Sequence, residues 1–321
     1  MAQHFLLSAE SRTLSLKEIY KMGEEKAHEL FCKMRWPETN GKPVCTKCGH
    51  DEAYTISTRR KFKCKACHAQ FSVTSGTMFA SRKLDFSDLL AAITLFVNGS
   101  KGMSAIQFSR DLDVQYKTAF VLAHKLREAL SHEVHTGEQM EGTVEVDGAY
   151  FGGHIRPKNI AAKRVDRRLK RHQTGTRRVV VAFRERTGRT LPFVTKSEAE
   201  GVELAKVHVD RLATVSADEA SHWDALHAGW DTERVNHSEV YSDHGKHTNM
   251  VESFFARLRR MVRGQHHHVS PKYLHQYANH AAWLEDNRRE SNGDNAMALL
   301  DGMLGVGVSR NWKGYWQRTH V

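Results

Sequence analysis

Four of the five cysteines occur as two C-x-x-C pairs, and no other sequence feature constrains the local fold as strongly. Cys45 and Cys48 form the first pair, Cys64 and Cys67 form the second, and fifteen residues separate the pairs. Paired thiolates at this spacing are typical of a tetrahedral zinc site. We therefore predict a zinc ribbon at residues 45–83 that binds Zn²⁺. The remaining cysteine, Cys32, is interpreted as a buried thiol rather than a ligand.

The alternative use of the cysteines, as disulfides, requires an oxidising compartment. The first residues, MAQHFLLSAESRTLS, contain no basic segment and too short an apolar core for a secretory signal. No apolar run in the sequence reaches the length of a membrane span. We therefore expect a cytoplasmic protein with reduced cysteines.

The overall charge favours a polyanionic partner. The chain has 321 residues and a formal net charge of +11, with 40% hydrophobic and 26% charged residues. This composition is that of a globular protein, long enough for two or three domains. A strongly basic balance is typical of nucleic-acid-binding proteins. The alternative is a basic protein that has no polyanionic partner. Clustering of the positive charge in one region would favour nucleic-acid binding over this alternative.

Helical patterns occupy the segments at 1–44 and 84–133. Ser15 with Glu18 three residues later predicts a capped helix that continues to Met34. Two shorter helices, at 104–112 and 115–130, have the proportions of a helix-turn-helix. An ordinary helical bundle shows the same pattern, but the basic, zinc-ribbon context favours DNA binding. The recognition helix would begin with Gln115, Tyr116, Lys117 and Thr118.

Three carboxylates lie on separate predicted elements and are candidate metal ligands. Asp147 lies within a strand at 143–151, where an acid is either a solvated edge residue or a ligand. Asp218 follows a short apolar strand, and Glu252 lies near the start of an amphipathic helix. Three carboxylates on rigid elements suit a pair of Mg²⁺ ions, which would clamp the attacking and leaving oxygens of a phosphodiester.

The element order from residue 143 onward predicts an α/β domain. Three strands, a helix, a strand, a helix, a strand and a helix follow one another, as in an RNase-H-like core. The predicted organisation is an N-terminal helical segment at 1–44, a zinc ribbon at 45–83, a helix-turn-helix-like region at 84–133, an RNase-H-like domain at 143–287 and a C-terminal tail at 288–321.

Positive charge is concentrated directly after the Asp147 strand. Residues 156–189 contain thirteen Lys or Arg and two acids, a local excess equal to the net charge of the whole chain. A dense basic run is usually solvated, but its position beside a candidate metal site suits contacts with a DNA backbone. The residues chosen as DNA contacts are Arg167, Arg168, Lys170 and Arg171.

Several short motifs follow one another along most of residues 30–287. They are the C-x-x-C pairs, FSVTSGTMF, QYKTA, VEVDGAYFGG, SADE, VNHS, HTNMVESFF and HHHVSPKYL. In this order they resemble the motifs of bacterial insertion-sequence transposases of the ISXO type, which combine a zinc ribbon with a DDE nuclease domain. By this resemblance Asp147, Asp218 and Glu252 form the catalytic triad, and Asn249 is the alternative third ligand. Family members often have an acid and a Thr after the first Asp, where this chain has Gly148 and Ala149.

The resemblance implies a reaction and its partners. Strands of double-stranded DNA are cut at the element ends with Mg²⁺ or Mn²⁺, and the freed 3′-OH attacks target DNA. Neither ATP nor a covalent enzyme intermediate is needed. Arg259 and Arg260 would neutralise phosphate, although a solvated helix face is the simpler interpretation. His247 and His237 are further candidates near the metals. We expect a homo-oligomer on DNA in the bacterial nucleoid.

Two other functions remain open at this stage. One is a DNA-binding regulator with a zinc ribbon, a helix-turn-helix and an inactive α/β domain. The other is an RNase-H-like junction nuclease. A regulator needs no carboxylate cluster, so the three acids would then lie apart. A junction nuclease would cut branched DNA regardless of the terminal repeats.

Overall fold

The structure is a computed structural model, and the part described here covers residues 4–153, 158–166, 172, 175–235 and 247–318. The chain divides into two compact units. The first unit contains Met1–Glu133 together with Asn287–Val321, and the second contains Val134–Asp286. The segment after residue 287, predicted as a separate tail, is therefore grouped with the N-terminal part of the chain.

The regular elements are numbered in chain order. The α-helices are α1 (Leu16–Arg35), α2 (Phe86–Asn98), α3 (Ala105–Asp111), α4 (Tyr116–Val134), α5 (Glu200–His208), α6 (Asn249–Arg260), α7 (Leu274–Asp286) and α8 (Asn292–Gly305). The strands are β1 (Ala53–Ile56), β2 (Lys61–Cys64), β3 (Gln70–Phe71), β4 (Thr143–Phe151), β5 (Arg178–Glu185), β6 (Thr190–Thr195), β7 (Thr214–Asp218) and β8 (Asp231–Val235). In the described part of the chain, no helix has both the length and the apolar character required to cross a membrane.

The first unit packs helices α1, α2 and α8 together beside the cysteine-rich sheet. The predicted capping box at the start of α1 is confirmed, because Ser15 and Glu18 bond reciprocally through side chain and backbone. Gly23 interrupts α1 with a φ of 74°, a conformation that glycine adopts without steric cost. Phe31 from α1 and Phe86 from α2 are fully buried, with ring centroids 4.9 Å apart.

The second unit is built on a mixed five-stranded sheet in the order β6-β5-β4-β7-β8. Strand β4 pairs antiparallel with β5 and parallel with β7, while β8 pairs parallel with β7. The interior strand β5 is buried over Val179–Phe183, as expected for a strand covered on both faces. Helix α7 packs against β6, and α6 packs against β4 and β5.

The observed elements agree with a mixed α/β domain and differ from the predicted order in one place. The segment between β7 and β8 forms a 3-10 helix at Ser221–Ala228 rather than an α-helix. Strand β8 begins at Asp231, which pairs with Thr214 at the start of β7. The assignment to the RNase-H-like folds stays a prediction.

Candidate functional site

The four paired cysteines lie together in the first unit. The Cys45 and Cys67 sulfurs are 3.6 Å apart, as are those of Cys48 and Cys64. All four sulfurs lie within 4.8 Å of one another. A tetrahedral Zn²⁺ with Zn–S bonds of about 2.3 Å separates its ligand sulfurs by roughly 3.8 Å. The arrangement therefore fits a Cys₄ zinc site.

The backbone around the cysteines holds their sulfurs in place. The Lys47 N–H donates to the Cys45 sulfur, and the Cys67 N–H donates to the Cys64 sulfur, both at 3.5 Å. Backbone N–H groups of Cys48 and Lys47 lower the pKa of Cys45 to about 6, whereas, against the lowering effect of the His50 N–H, the neighbouring thiols raise the pKa of Cys48. Cys45 is thus the first of these two thiols to become a thiolate, the form that binds a metal. Cys32 lies outside this group, and burial raises the pKa of its thiol to about 11.

A three-stranded antiparallel sheet, β1-β2-β3, supports the cysteine cluster. Strand β2 ends at Cys64, whose N–H donates to the Ala69 carbonyl at 3.0 Å. Phe62 on β2 and Phe71 on β3 are buried, with ring centroids 5.7 Å apart. Trp36, which follows α1, packs edge-on against both rings. The aromatic residues therefore form a small core beneath the candidate zinc site.

In the second unit, strand pairing places Asp147 beside Asp218. The parallel register of β4 and β7 pairs Val146 with Ala217, and each aspartate is the next residue on its strand. The Gly148 N–H donates to the Asp147 Oδ1 at 2.7 Å, and the Ala220 N–H donates to the Asp218 Oδ1 at 3.1 Å. Both carboxylates are thus oriented by the backbone that follows them.

Helix α6 carries Glu252. Its buried residues Val251, Phe254, Phe255 and Leu258 recur at i, i+3, i+4 and i+7, the spacing of one helix face. The apolar stripe continues to Met261, directly after the helix, which is fully buried. Burial of each such side chain contributes about 1.5–3 kcal/mol, so the packing fixes the rotation of α6. Glu252 is half-buried, while Asn249, the alternative ligand, is exposed.

Asp147 is affected by acids from the other elements. Burial and, to a smaller extent, the charges of Asp218, Glu198 and Glu252 together raise its pKa to about 7, against the lowering effect of the Gly148 hydrogen bond. A carboxylate surrounded by like charges is stabilised by a bound cation. Two of the acids chosen from the sequence, Asp218 and Glu252, therefore act electrostatically on the third, although the three come from separate elements.

The spacing of the acids differs from that of the cysteines. Within the described residues, the cysteine quartet is the group whose ligand atoms all lie within 4.8 Å of one another, and the acids form no second group of this kind. The candidate carboxylates are therefore not drawn together as closely as the four thiols.

A fourth acid, Glu198, lies against Gly148, the residue after Asp147, and was not anticipated from the sequence. A Cβ placed on Gly148 would be 2.5 Å from the Glu198 Cγ, so the glutamate occupies the space that a side chain at position 148 would need. The Glu198 Oε2 lies 3.1 Å from the His222 Nε2. Burial raises the pKa of Glu198, and the Asp218 charge acts in the same direction. No local motif marks Glu198, because its proximity to Asp147 arises only from the fold.

Glu145 is the second residue whose role was missed. It is fully buried, and its Oε2 accepts hydrogen bonds from the Met250 and Val251 N–H groups at 2.8 and 3.0 Å. These donors belong to the first turn of α6, which carries Glu252. The sequence signal was its position two residues before Asp147, which puts both acids on one strand face.

Comparison with known families identifies the two parts of this arrangement. A family model described as a transposase zinc-ribbon domain matches residues 22–70, and one described as an ISXO2-like transposase domain matches residues 139–286. The two matches together cover more than half of the chain, and both models describe IS1595 proteins. The chain belongs to the IS1595 transposase family. No curated protein matches the chain in sequence.

The family assignment confirms the resemblance on which the sequence interpretation relied. The cysteine quartet lies within the matched zinc-ribbon domain, and that match begins inside α1. All the acids of the candidate site lie within the matched transposase domain. These domains imply that the transposase binds DNA.

The residues predicted to read DNA bases lie at the start of α4 in the transposase. Helices α3 and α4 are joined by a short link, as predicted, and Gln115, Tyr116 and Lys117 are exposed. The indole N–H of Trp316 donates to the Lys117 carbonyl at 3.3 Å, so the C-terminal segment packs beside this turn. Thr118 is half-buried. A role of these residues in DNA binding stays a prediction.

The basic segment of the transposase serves more than one purpose. Arg167, Arg168, Lys170 and Arg171 lie outside the described residues, as does His237. Of the described members, Arg184 is buried and pairs with Asp286, and Arg186 pairs with Glu145 at 3.2 Å. Part of the local charge excess therefore neutralises these two carboxylates.

The remaining candidates lie on or beside α6. Arg259 and Arg260 are exposed in its last turn, and the Arg259 guanidinium lies 5.6 Å from the centre of the Phe255 ring. The His247 Nδ1 lies 3.0 Å from the Glu145 Oε1. His247 thus packs against the carboxylate that holds α6.

Proposed function

We propose that this protein is a DNA transposase that binds the ends of an insertion sequence and catalyses metal-dependent strand cleavage and strand transfer. The observation that carries the proposal is the parallel pairing of β4 with β7, which sets Asp147 beside Asp218. The charges of Asp218 and Glu252 both act on Asp147. A DNA-binding regulator does not require carboxylates from separate elements to be brought together in this way.

The donor set fits Mg²⁺ or Mn²⁺. Carboxylate oxygens are the preferred ligands of these hard cations, and Asp147, Asp218 and Glu252 offer them from β4, β7 and α6. When bound, two such ions supply an activated water and stabilise the leaving oxygen. We favour Glu252 over Asn249 as the third ligand, because Glu252 acts on Asp147 electrostatically and a carboxylate binds a hard cation better than an amide.

The protein contributes binding and orientation. Residues at the start of α4 would read the element ends, the basic segment would hold the backbone, and Arg259 and Arg260 would neutralise phosphate. Cleavage replaces a phosphodiester bond with a 3′-OH and a 5′-phosphate, and this hydroxyl then displaces the bridging oxygen of a target phosphodiester. Joining two ends to one target requires both to be held together, so we expect a homo-oligomer on double-stranded DNA.

The proposal is tested with the DNA that flanks the coding sequence, compared with a random duplex and a four-way junction. Asp147→Asn, Asp218→Asn and Glu252→Gln should retain DNA affinity and lower cleavage by about 10³-fold or more, since each ligand loss removes several kcal/mol of transition-state stabilisation. Combining the substitutions should add little, because one missing ligand disables the shared site.

Glu219→Gln is the matched control, because Glu219 is an exposed acid adjacent to Asp218. It should cleave like the wild type. Binding without cleavage by the wild type would favour a regulator, and cleavage of junctions regardless of ends would favour a junction nuclease. Full activity in Glu252→Gln with loss in Asn249→Ala would move the third ligand to Asn249.

A further inference from the structure

The start of helix α6 is capped by a residue from another element. Thr248 occupies the N-cap position and makes no side-chain capping hydrogen bond. The Glu145 Oε2 instead accepts from the Met250 and Val251 N–H groups, at 2.8 and 3.0 Å. These are N–H groups of the first turn, which have no partner within the helix and which a capping side chain normally satisfies. A carboxylate at this end also complements the positive helix dipole.

The second oxygen of Glu145 holds the chain that leads into α6. The Arg186 Nε donates to the Glu145 Oε1 at 3.2 Å, and the Arg186 Nη2 donates to the His247 carbonyl at 3.1 Å. The His247 Nδ1 lies 3.0 Å from the same Oε1, a distance that allows ion pairing although the hydrogen-bond geometry is not met. Glu145 is fully buried, so the hydrogen bonds and Arg186 compensate the cost of removing its charge from water.

We propose that Glu145 is a positioning residue that fixes the start of α6 on strand β4, and thereby sets Glu252 relative to Asp147. The inference rests on the proposed function, since it concerns how the divalent-metal ligands are arranged. Glu145 lies two residues before Asp147 on one strand face, and its bonded partner Val251 directly precedes Glu252. Asp147 and Glu252 are therefore connected through the Glu145 carboxylate, with only a short piece of β4 backbone on one side and of α6 backbone on the other.

The path from Asp147 to Glu252 through Glu145 is short. Elsewhere α6 is held by apolar packing along its buried face and by side-chain contacts of Ser253 and Arg257 with Glu285. Apolar packing fixes the rotation of the helix but tolerates a small slide along its axis. Two hydrogen bonds to consecutive N–H groups resist such a slide, because hydrogen bonds weaken steeply as distance and angle depart from ideal. Residues that orient metal ligands affect metal affinity or activity by about 10- to 100-fold when replaced.

Glu285 provides a matched control on the same helix. It is a buried carboxylate on α7, and its Oε2 accepts from the Arg257 Nε at 2.7 Å. Glu145 and Glu285 therefore both bind α6 and both pair with an arginine. They differ in what they hold. Glu285 accepts from the side chains of Ser253 and Arg257, which follow Glu252 on the helix. Glu145 accepts from the backbone N–H groups of the turn that leads to Glu252.

The experiment compares Glu145→Gln, Glu145→Ala and Glu285→Gln in the full-length, zinc-loaded protein. Amide hydrogen exchange is measured at Met250 and Val251, Mn²⁺ affinity by electron paramagnetic resonance, and cleavage and DNA affinity separately. Glu145→Ala should speed exchange at both amides and weaken Mn²⁺ binding and cleavage by about 10- to 100-fold at unchanged DNA affinity. Glu145→Gln, which keeps an acceptor oxygen, should be intermediate and serves if the alanine variant fails to fold.

Glu285→Gln should leave the exchange at Met250 and Val251 and the Mn²⁺ affinity as in the wild type. Equal Mn²⁺ affinities in Glu145→Gln and Glu285→Gln would overturn the inference, as would unchanged exchange at the two amides. A wild-type protein that neither binds Mn²⁺ nor cleaves DNA would overturn the proposed function instead. In that case the exchange measurement still decides whether Glu145 fixes the start of α6.

Discussion

Glu198 occupies the space that any side chain at position 148 would need. A Cβ on Gly148 would be 2.5 Å from the Glu198 Cγ and 2.8 Å from its Oε1, both closer than real Cβ contacts allow. Gly148 directly follows Asp147, so the absence of a side chain there lets a fourth acid approach the candidate metal site. Related transposases often have an acid at the position of Gly148. The resemblance alone does not indicate that, in this chain, Glu198 occupies the space of that side chain.

Gly148→Ala should therefore displace Glu198 from Asp147. The clash is with a flexible side chain, so we expect a stability change within about 1 kcal/mol. The pKa of Asp147 should fall below about 7 as the Glu198 charge moves away. Carboxyl carbon NMR of labelled protein measures this pKa. Glu198→Gln removes the same charge without a clash and should have the same effect. An unchanged Asp147 titration in both variants would contradict the arrangement.

The pH dependence of stability should report the raised pKa of Asp147 in protein without added divalent ions. A carboxyl with a pKa of about 7 in the folded state, against an ordinary 3.8, binds its proton more tightly when folded. It contributes stability that is fully present below the ordinary pKa and is lost as the pH rises through about 7. Asp147→Asn should flatten this decline between pH 4 and 7 in urea unfolding. A decline of equal slope in the variant would show that other groups cause it.

The cysteine quartet should bind one zinc ion per chain. Replacing Cys64 and Cys67 together with serine should abolish zinc binding and unfold the β1-β2-β3 sheet, because metal binding supplies much of the folding free energy of such small sites. Elemental analysis of the purified protein measures the zinc content. Cys32→Ser should retain zinc, since Cys32 lies outside the quartet. Zinc retained in the double variant would exclude this site.

The basic segment should contain residues with two different functions. Replacing Arg167, Arg168, Lys170 and Arg171 with alanine should weaken binding to element-end and random duplexes alike. The slope of the logarithm of the binding constant against the logarithm of the salt concentration should become shallower by roughly 0.9 for each phosphate contact that is lost.

Arg184→Ala should instead destabilise the fold by about 3–5 kcal/mol, because Arg184 is buried and pairs with Asp286. Chemical unfolding and binding titrations at several salt concentrations separate the effects. If the alanine variant of the four basic residues lost only its binding to element ends, sequence recognition would have to be assigned to this segment rather than to Gln115–Thr118.

Local patterns determined the parts of this protein that depend on short stretches of chain. The zinc ribbon followed from two C-x-x-C pairs, because metal geometry requires ligands at such spacings. The α1 capping box is equally local, since its hydrogen bonds join residues three apart. The three acids could be chosen as candidates because each lies on or beside a recognisable strand or helix, and the ordered motifs sufficed to identify the transposase family.

Only the tertiary structure decided which groups act on one another. Glu198 packs against Gly148 and its charge acts on Asp147, and Glu145 caps a helix that begins more than one hundred residues later in the chain. The same holds for Arg184 and Arg186, which look like DNA contacts in a basic run but pair with the carboxylates of Asp286 and Glu145. Burial and long-range pairing determine the electrostatic role of a charged residue, and neither is encoded in its neighbours along the chain.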